Sequence, residues 1–476
     1  MNVSNQIISG VKFASFSKII RIGLQYVTLL ILVAYLSPTD FGLMSTAMIF
    51  IGFFNLIKDF GFSSALIQLE EKTDELLSSV FWLNAVIGIS LATLLYFASG
   101  FVANFYKIAE LKLILEVLSI NFIFSSISTL QNALFEKEMR FNIISKIEII
   151  SSSTASIVAI TLAVLDFGVW ALVFQTLTLS FLMLFFNWLY SDFRPKIVFS
   201  VNEIKKILHF GINLSGFNIL NYFVRNADYF LIGKFLGMNE LGLYSLAYRI
   251  MLFPIQNISS VVNRVVYPAL SKVKNNKIET RKIYTNIVGS VAFFTFPLTI
   301  GFFVINESFV TLFLSERWYP IIDILYVLVP IGLIQSVYSL AGAIYLSQDQ
   351  TKLWFKWGII SAMITVTGFY IGIKWGIIGV AISYLATNII LIYPGSKIPF
   401  NLIELSFKEY LSKISITLLI SLIMGGIVFL IKQLITNYLG NLIVSFIIMV
   451  LIGIITYLLL SYKFNQRMFE NFRKAI

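Results

Sequence analysis

The chain consists largely of long apolar runs, among them "FGVWALVFQTLTLSFLMLFFNWLY" from Phe167 and "LIVSFIIMVLIGIITYLLLSY" from Leu442. A helix of about 20 mostly apolar residues matches the thickness of the hydrocarbon core of a bilayer. The alternating segments typical of membrane β-barrels do not occur in the sequence. Hydrophobic residues make up 58% of the chain and charged residues only 12%, whereas soluble domains are about a quarter charged. The sequence therefore predicts an all-α polytopic membrane protein.

We predict about fourteen transmembrane helices, each long enough to cross the bilayer. Their bounds lie near 11–35, 41–58, 78–101, 111–134, 143–165, 168–190, 206–233, 241–267, 284–313, 320–346, 354–373, 376–395, 413–433 and 440–462. The connections at 36–40, 166–167 and 374–375 are very short, so the helices that they join should form antiparallel hairpins.

Lysine and arginine are distributed unevenly between the predicted loops. With the N-terminus in the cytoplasm, the cytoplasmic segments contain about 26 of the 35 Lys and Arg residues, and the outer loops about six. Because cytoplasmic loops of membrane proteins are rich in these residues, we predict that both termini are cytoplasmic. The net charge of +11 therefore needs no nucleic-acid partner. The absence of cysteine excludes disulfides and thiolate metal sites.

An internal repeat relates two parts of the chain at a spacing of 200 residues. "YLSPTDFGLMSTAMIF" at 35–50 aligns without a gap with "FLGMNELGLYSLAYRI" at 235–250. The alignment places an acidic residue before the matched glycines, Gly42 and Gly242, and a leucine after each of them. A second, weaker similarity lies further along each copy, in both cases after a long apolar helix.

This second similarity pairs "FGVWALV" from Phe167 with "WGIIGVA" from Trp375. A repeat of six spans begins and ends on the same side of the membrane, so the two copies should be parallel, with a substrate path at their interface. We therefore predict an N-terminal six-helix bundle at 1–200, a second at 201–396, and a C-terminal helix pair with a cytoplasmic tail at 397–476.

Two polar stripes lie on helices that are otherwise apolar. Four polar residues of span 7 are spaced 3, 4 and 3 residues apart and so share one helical face: Asn218, Asn221, Arg225 and Asp228. The equivalent positions of span 1 hold Lys18, Arg21, Gln25 and Thr28. A charge at the bilayer centre costs roughly 2.5–3.5 kcal/mol on insertion scales. We therefore expect both stripes to face a water-accessible cavity.

Arg249 on span 8 is a further cation at membrane depth that could extend this lining. The predicted substrate-cavity residues are Lys18, Arg21, Gln25, Asn218, Asn221, Arg225, Asp228 and Arg249. A second interpretation stays open, in which Arg225 and Asp228 form a neutralising ion pair that locks helices together. The two roles are compatible, because Asp228 could hold Arg225 while Arg225 faces a ligand.

The sequence contains no motif of a soluble nucleotide-dependent enzyme. A P-loop, a dinucleotide fingerprint and a His-rich metal motif are all missing, and the predicted loops are too short to form an ATP-binding domain. We expect neither enzymatic activity nor a cofactor. Active transport would then draw on an H+ or Na+ gradient, on the membrane potential or on the gradient of the substrate itself.

Three segments resemble the polysaccharide flippases, the Wzx-type O-antigen, colanic-acid and teichuronic-acid exporters of the multidrug/oligosaccharidyl-lipid/polysaccharide (MOP) superfamily. They are "ADYFLIGKFLGMNELGLYSLAYRI" with the following "VVNRVVYPALSKV", "LSPTDFGLMSTAMIFIGFFNLIKDFGFSSALIQ", and "FEKEMRFNIISKIEIISSSTASIVAITLAVLDFGVWALV". The resemblance extends over nearly the whole chain and is densest at about 20–390. It implies two six-helix bundles in a V shape that work by alternating access.

The same resemblance implies a cargo, a location and partners. The cargo would be an undecaprenyl-diphosphate-linked oligosaccharide, flipped to the outer leaflet of the bacterial cytoplasmic membrane for surface polysaccharide synthesis. Polysaccharide polymerase and assembly proteins would be its partners. One alternative is a cation-coupled multidrug antiporter of the same superfamily, which needs acidic cavity residues, whereas this chain offers chiefly Asp228. A glycan polymerase or ligase would need a large outer loop, and every predicted outer loop is short.

Overall fold

The chain is a multi-pass helical membrane protein. The computed structural model describes residues 3–58, 73–201, 204, 222–438, 441–466 and 468–470. Within these ranges every regular element is a helix, and ten helical stretches are long and apolar enough to cross a membrane. One of the ten, at 351–402, contains two successive helices. The predicted number of about fourteen spans therefore stays a prediction.

The chain forms two compact units, Met1–Gly242 and Leu243–Ile476. The helices of the first unit are α1 (Val3–Tyr35), α2 (Pro38–Lys58), α3 (Asp74–Tyr106), α4 (Glu110–Lys137), α5 (Phe141–Val164), α6 (Trp170–Tyr190) and α7 (Ala227–Phe235). The next helix, α8 (Met238–Met251), begins in the first unit and ends in the second. The predicted bundle boundary at residue 200 stays a prediction, since residues 205–221 lie outside the described ranges.

The second unit contains the remaining helices, several of them longer than the bilayer is thick. They are α9 (Ser260–Lys272), α10 (Lys277–Phe313), α11 (Ile321–Tyr338), α12 (Gly342–Ser347), α13 (Thr351–Gly372), α14 (Gly376–Leu402), α15 (Phe407–Tyr438) and α16 (Leu442–Phe464). Helix α10 has 37 residues and is about 55 Å long at 1.5 Å per residue. Its first turn, capped by the Asn276 side chain at the Glu279 amide, therefore extends out of the hydrocarbon core.

Helix packing repeats between the two units. In the first unit α3 packs on α4, α5 on α6, and α4 on α6. In the second unit the helices that occupy the equivalent positions in chain order pack in the same way: α10 on α11, α13 on α14, and α11 on α14. The hairpins predicted around 166–167 and 374–375 are confirmed as α5/α6 and α13/α14. Equal packing of equal positions is the structural counterpart of the repeat in the sequence.

The repeat also appears in detail at the beginning of α2. A Cβ atom added to Gly42 would overlap the carbonyl oxygen of Met238, the first residue of α8. A Cβ atom added to Gly242 would overlap the carbonyl oxygen of Pro38, the first residue of α2. Each glycine therefore allows the start of the other helix to approach its backbone, and the two contacts are equivalent.

Two of the predicted spans are interrupted. Span 7, predicted near 206–233, has a break at Asn226 directly before α7. Asn226 adopts φ −113° and ψ 8°, and its side-chain amide donates to the Tyr222 carbonyl at 2.8 Å. Asparagine favours such a break because its side chain competes for backbone hydrogen bonds. Span 8 is likewise interrupted after Met251 by a π-helical turn at Ile255–Ser259, next to Pro254, whose ring cannot continue an α-helix.

Candidate functional site

The predicted polar stripe of span 1 lies on the N-terminal half of α1. Lys18 and Arg21 are half-buried and Gln25 is exposed, while Thr28 on the same helix is 2% exposed. Lys18 and Arg21 are three residues apart and are therefore neighbours on one helical face. The structure thus places two cations side by side on a helix that packs on α5.

Arg21 forms an ion pair across the contact between α1 and α5. Its Nη1 lies 2.8 Å from Oε1 of Glu148, and the two side chains are 43% and 27% exposed. A guanidinium has five N–H donors arranged as a planar fork. Among the described residues this pair is the one polar contact of the Arg21 side chain. Glu148 therefore orients Arg21 and leaves most of its donors available to a ligand.

Glu148 is a site residue that the sequence analysis missed. It lies in "NIISKIEIISSST", between isoleucines, five residues after the start of the predicted membrane span at 143–165. The criterion that singled out Asp228, a carboxylate in an apolar run, applies equally to Glu148. With Glu148 the group carries two positive charges and one negative charge, so the α1 site remains cationic.

Arg225 and Asp228 lie in different environments on either side of the break at Asn226. Arg225 is exposed, whereas Asp228 is 2% exposed and accepts a hydrogen bond from the Tyr229 amide at 2.8 Å. Between these two described residues the structure has no ion pair. A carboxylate in the first turn of α7 is stabilised by the amides and the dipole at the N-terminus of the helix. Asp228 is therefore held by its own helix, and Arg225 is directed outward.

The remaining predicted residues are Arg249 and two asparagines outside the described part of the chain. Asn218 and Asn221 lie outside the described residues. Arg249 belongs to the second unit, on α8, where it is exposed. Within the described residues no group of three or more His, Cys, Asp or Glu side chains is placed to hold a metal ion. Lys18 and Arg21 with Glu148 are therefore the charged group that the structure brings together.

Comparison with known proteins places this site in a biological context. A family model described as "Polysaccharide biosynthesis protein" matches residues 31–323. The chain is 28% identical over 431 residues to the teichuronic acid biosynthesis protein TuaB of Bacillus subtilis (strain 168), covering 90% of this chain and 89% of that protein. It is 27% identical over 398 residues to the lipopolysaccharide biosynthesis protein WzxC of Escherichia coli (strain K12), covering 82% and 80% respectively.

Solved structures share the fold at low sequence identity. The lipid II flippase MurJ in an inward closed conformation superposes with a TM-score of 0.74 at 20% identity, over 97% of this chain and 99% of that chain. An inward-facing multidrug resistance MATE family transporter of the MOP superfamily superposes with a TM-score of 0.65 at 17% identity, over 81% and 98%. The predicted fold class, an all-α polytopic membrane protein with the fold of these solved structures, is thereby confirmed.

Proposed function

We propose that this chain, which belongs to the polysaccharide biosynthesis protein family, is a flippase for a lipid-linked oligosaccharide. It moves an undecaprenyl-diphosphate-linked repeat unit from the cytoplasmic to the outer leaflet of the bacterial inner membrane by alternating access. The product serves the synthesis of a surface polysaccharide, such as an O-antigen, a capsule or an exopolysaccharide. Relatives named for teichuronic acid and lipopolysaccharide biosynthesis support this assignment.

The observation that carries the proposal is the paired Arg21 on α1. On the predicted first span, a cation at membrane depth is expensive unless it is paired or serves a polar pathway. Glu148 neutralises only one of the two neighbouring cations, Lys18 and Arg21. The remaining positive charge attracts an anionic group, and the guanidinium fork binds phosphate oxygens in a bidentate manner. A diphosphate joined to a lipid supplies both the charge and the oxygens.

The two ends of such a cargo need different surroundings. The prenyl chain stays in the lipid, because each buried methylene group contributes about 0.8 kcal/mol. The diphosphate and the sugars need a polar route through the protein. A half-buried Arg21 on a membrane helix provides the start of such a route. In this proposal the cargo crosses without covalent change, so the protein is a transporter rather than an enzyme.

The orientation and the energy source belong to the same proposal. Both termini are cytoplasmic, as the distribution of Lys and Arg predicts. The described loops are too short to form an ATP-binding domain, so the cycle draws on an H+ or Na+ gradient, on the membrane potential or on the gradient of the substrate itself. Polysaccharide polymerase and assembly proteins take over the flipped product. Asp228, buried at the start of α7, is the residue that we expect to respond to the coupling ion.

Deletion of the gene in its own host tests the assignment. Surface polysaccharide should disappear, and the lipid-linked oligosaccharide should accumulate in the cytoplasmic leaflet. A plasmid copy of the wild-type gene should restore both. Unchanged surface polysaccharide, together with a new sensitivity to cationic dyes, would instead favour a multidrug antiporter with the same fold.

A further inference from the structure

The second unit contains a cluster of neutral hydrogen-bonding side chains that the proposed function does not yet use. We name it the amide–tyrosine cluster: Tyr248 of α8, Gln335 of α11, and Tyr384 and Asn388 of α14. The Gln335 side-chain nitrogen donates to the Tyr384 hydroxyl at 2.7 Å and to Asn388 Oδ1 at 3.2 Å. The hydroxyls of Tyr248 and Tyr384 are 3.4 Å apart. Three helices thus meet in one connected polar network.

Aromatic rings in this cluster are stacked as well as hydrogen-bonded. The rings of Tyr244 and Tyr248 are 5.9 Å apart with 25° between their planes. The rings of Tyr248 and Tyr384 are 6.1 Å apart with 29° between them. The ring of Phe369 on α13 also packs on Tyr384, with 5.3 Å between the ring centroids. Because this packing fixes both tyrosine rings, the hydroxyls and the ring edges are preorganised.

The cluster is half-buried rather than enclosed. Tyr244 is fully buried, but Tyr248, Gln335, Tyr384 and Asn388 are all partly exposed. Gln335 uses its NH2 group for both of its hydrogen bonds, and among the described residues nothing donates to its Oε1. An amide oxygen accepts two hydrogen bonds. The network therefore presents an acceptor at its accessible side.

The chemistry of the cluster selects a neutral, hydroxylated ligand. Its four side chains carry no charge, so it offers no counter-charge to a phosphate or to a cationic drug. A pyranose ring has a face of C–H bonds, which packs on an aromatic ring, and a rim of hydroxyls, which hydrogen-bond to amides. Binding sites usually combine an apolar wall with a few well-placed polar groups of this kind. Helix packing alone requires no acceptor at the accessible side of the network.

We propose that the amide–tyrosine cluster is a sugar-binding subsite that holds the uncharged saccharide part of the cargo. This inference rests on the proposed flippase function and adds where the sugars are recognised. Gln335 Oε1 accepts a hydrogen bond from a sugar hydroxyl, and the ring edges of the partly exposed Tyr248 and Tyr384 contact the sugar.

A binding assay with two probes tests the inference on the purified full-length protein in detergent. The first probe is the lipid-linked oligosaccharide extracted from host cells in which the gene is deleted. The second is undecaprenyl diphosphate, which has the same lipid and the same charges but no sugar. Gln335→Leu removes the amide at similar volume, and Tyr384→Phe removes the hydroxyl that accepts from Gln335 and so positions its Oε1 for the sugar. Tyr338→Phe is the matched control, since its hydroxyl accepts from Trp357 at 3.2 Å, away from the cluster.

The inference predicts that Gln335→Leu and Tyr384→Phe weaken binding of the oligosaccharide probe about tenfold, as expected for a lost ligand hydrogen bond. Binding of undecaprenyl diphosphate should not change, and Tyr338→Phe should bind both probes like the wild type. Unchanged affinity of both cluster variants for the oligosaccharide probe, or an equal loss for both probes, would overturn the inference. Failure of the wild type to bind either probe would overturn the proposed function instead. If Gln335→Leu does not fold, Tyr384→Phe alone decides.

Discussion

Gly42 and Gly242 lie 200 residues apart and make the same contact in opposite directions. Gly42 lies against the first residue of α8, and Gly242 against the first residue of α2. Further along each copy, Gly168 and Gly376 both take a positive φ, 55° and 74°. These recurring features at matched positions are the structural counterpart of the repeat in the sequence.

Replacing Gly42 or Gly242 by alanine should destabilise the protein. A Cβ at Gly42 or Gly242 overlaps backbone rather than a movable side chain, so both helices have to shift. Overpacking of this kind costs about 1–3 kcal/mol, which lowers the unfolding temperature by a few degrees. Thermal unfolding in detergent measures it. Gly100→Ala is the control, because a Cβ there meets nothing within 4 Å; equal stability of Gly42→Ala and Gly100→Ala would contradict the expectation.

Removing Glu148 should impair transport less than removing Arg21. Both side chains are partly exposed, so their ion pair contributes less than about 1 kcal/mol to stability. Glu148→Gln should therefore fold normally and leave Arg21 mispositioned, with flipping reduced in part. Arg21→Ala should abolish flipping at similar stability, and Arg21→Lys should restore some of it. If the pair were purely structural, Arg21→Ala and Glu148→Gln would lower the stability equally, and both variants would transport normally.

Arg225→Ala should abolish surface polysaccharide without loss of protein from the membrane. Arg225 is exposed and makes no ion pair with Asp228, so its removal leaves no unpaired buried charge behind. The unfolding temperature should stay within about a degree, as for exposed substitutions in general. Complementation of the deletion strain, with immunoblotting of its membranes, measures both quantities. Normal polysaccharide in this variant would exclude Arg225 from the cargo route.

Transport should depend on one ion gradient, and Asp228 should be needed for that dependence. Asp228 is 2% exposed, so gain or loss of an ion there changes a buried charge. Collapsing the coupling gradient, H+ or Na+, should stop net flipping by the wild type, while collapsing the other should not. Asp228→Asn should flip slowly and at the same rate with either gradient present. If that variant still responds to the gradient like the wild type, coupling resides elsewhere.

The membrane fold could be predicted from the sequence because its main determinant is local. A run such as that of α16 is apolar over a length that fits the bilayer, whatever surrounds it. The matched glycines at 42 and 242 and the short hairpin connections can likewise be recognised from the sequence alone. The break at Asn226 was missed because a single asparagine in a long helix is usually tolerated, and its effect depends on the Tyr222 carbonyl.

The site could be predicted only in part. Polar spacing on α1 identified Lys18 and Arg21, but their carboxylate partner lies 127 residues further along, on α5. The spacing of polar residues on one helix does not show which face of another helix packs against them. The same limit applies to the amide–tyrosine cluster, whose members come from three helices. Charged residues stand out in an apolar chain, whereas neutral amides and tyrosines do not.

Flipping in proteoliposomes tests the central claim most directly. The wild type and Arg21→Ala are reconstituted with the lipid-linked oligosaccharide, and a membrane-impermeant glycosidase or lectin then reports how much of it reaches the accessible leaflet with time. We predict that the wild type moves the oligosaccharide and that Arg21→Ala, equally folded, does so no faster than protein-free liposomes. Two results would contradict this claim: a folded wild type that moves no oligosaccharide, or equal rates of oligosaccharide movement for the wild type and Arg21→Ala.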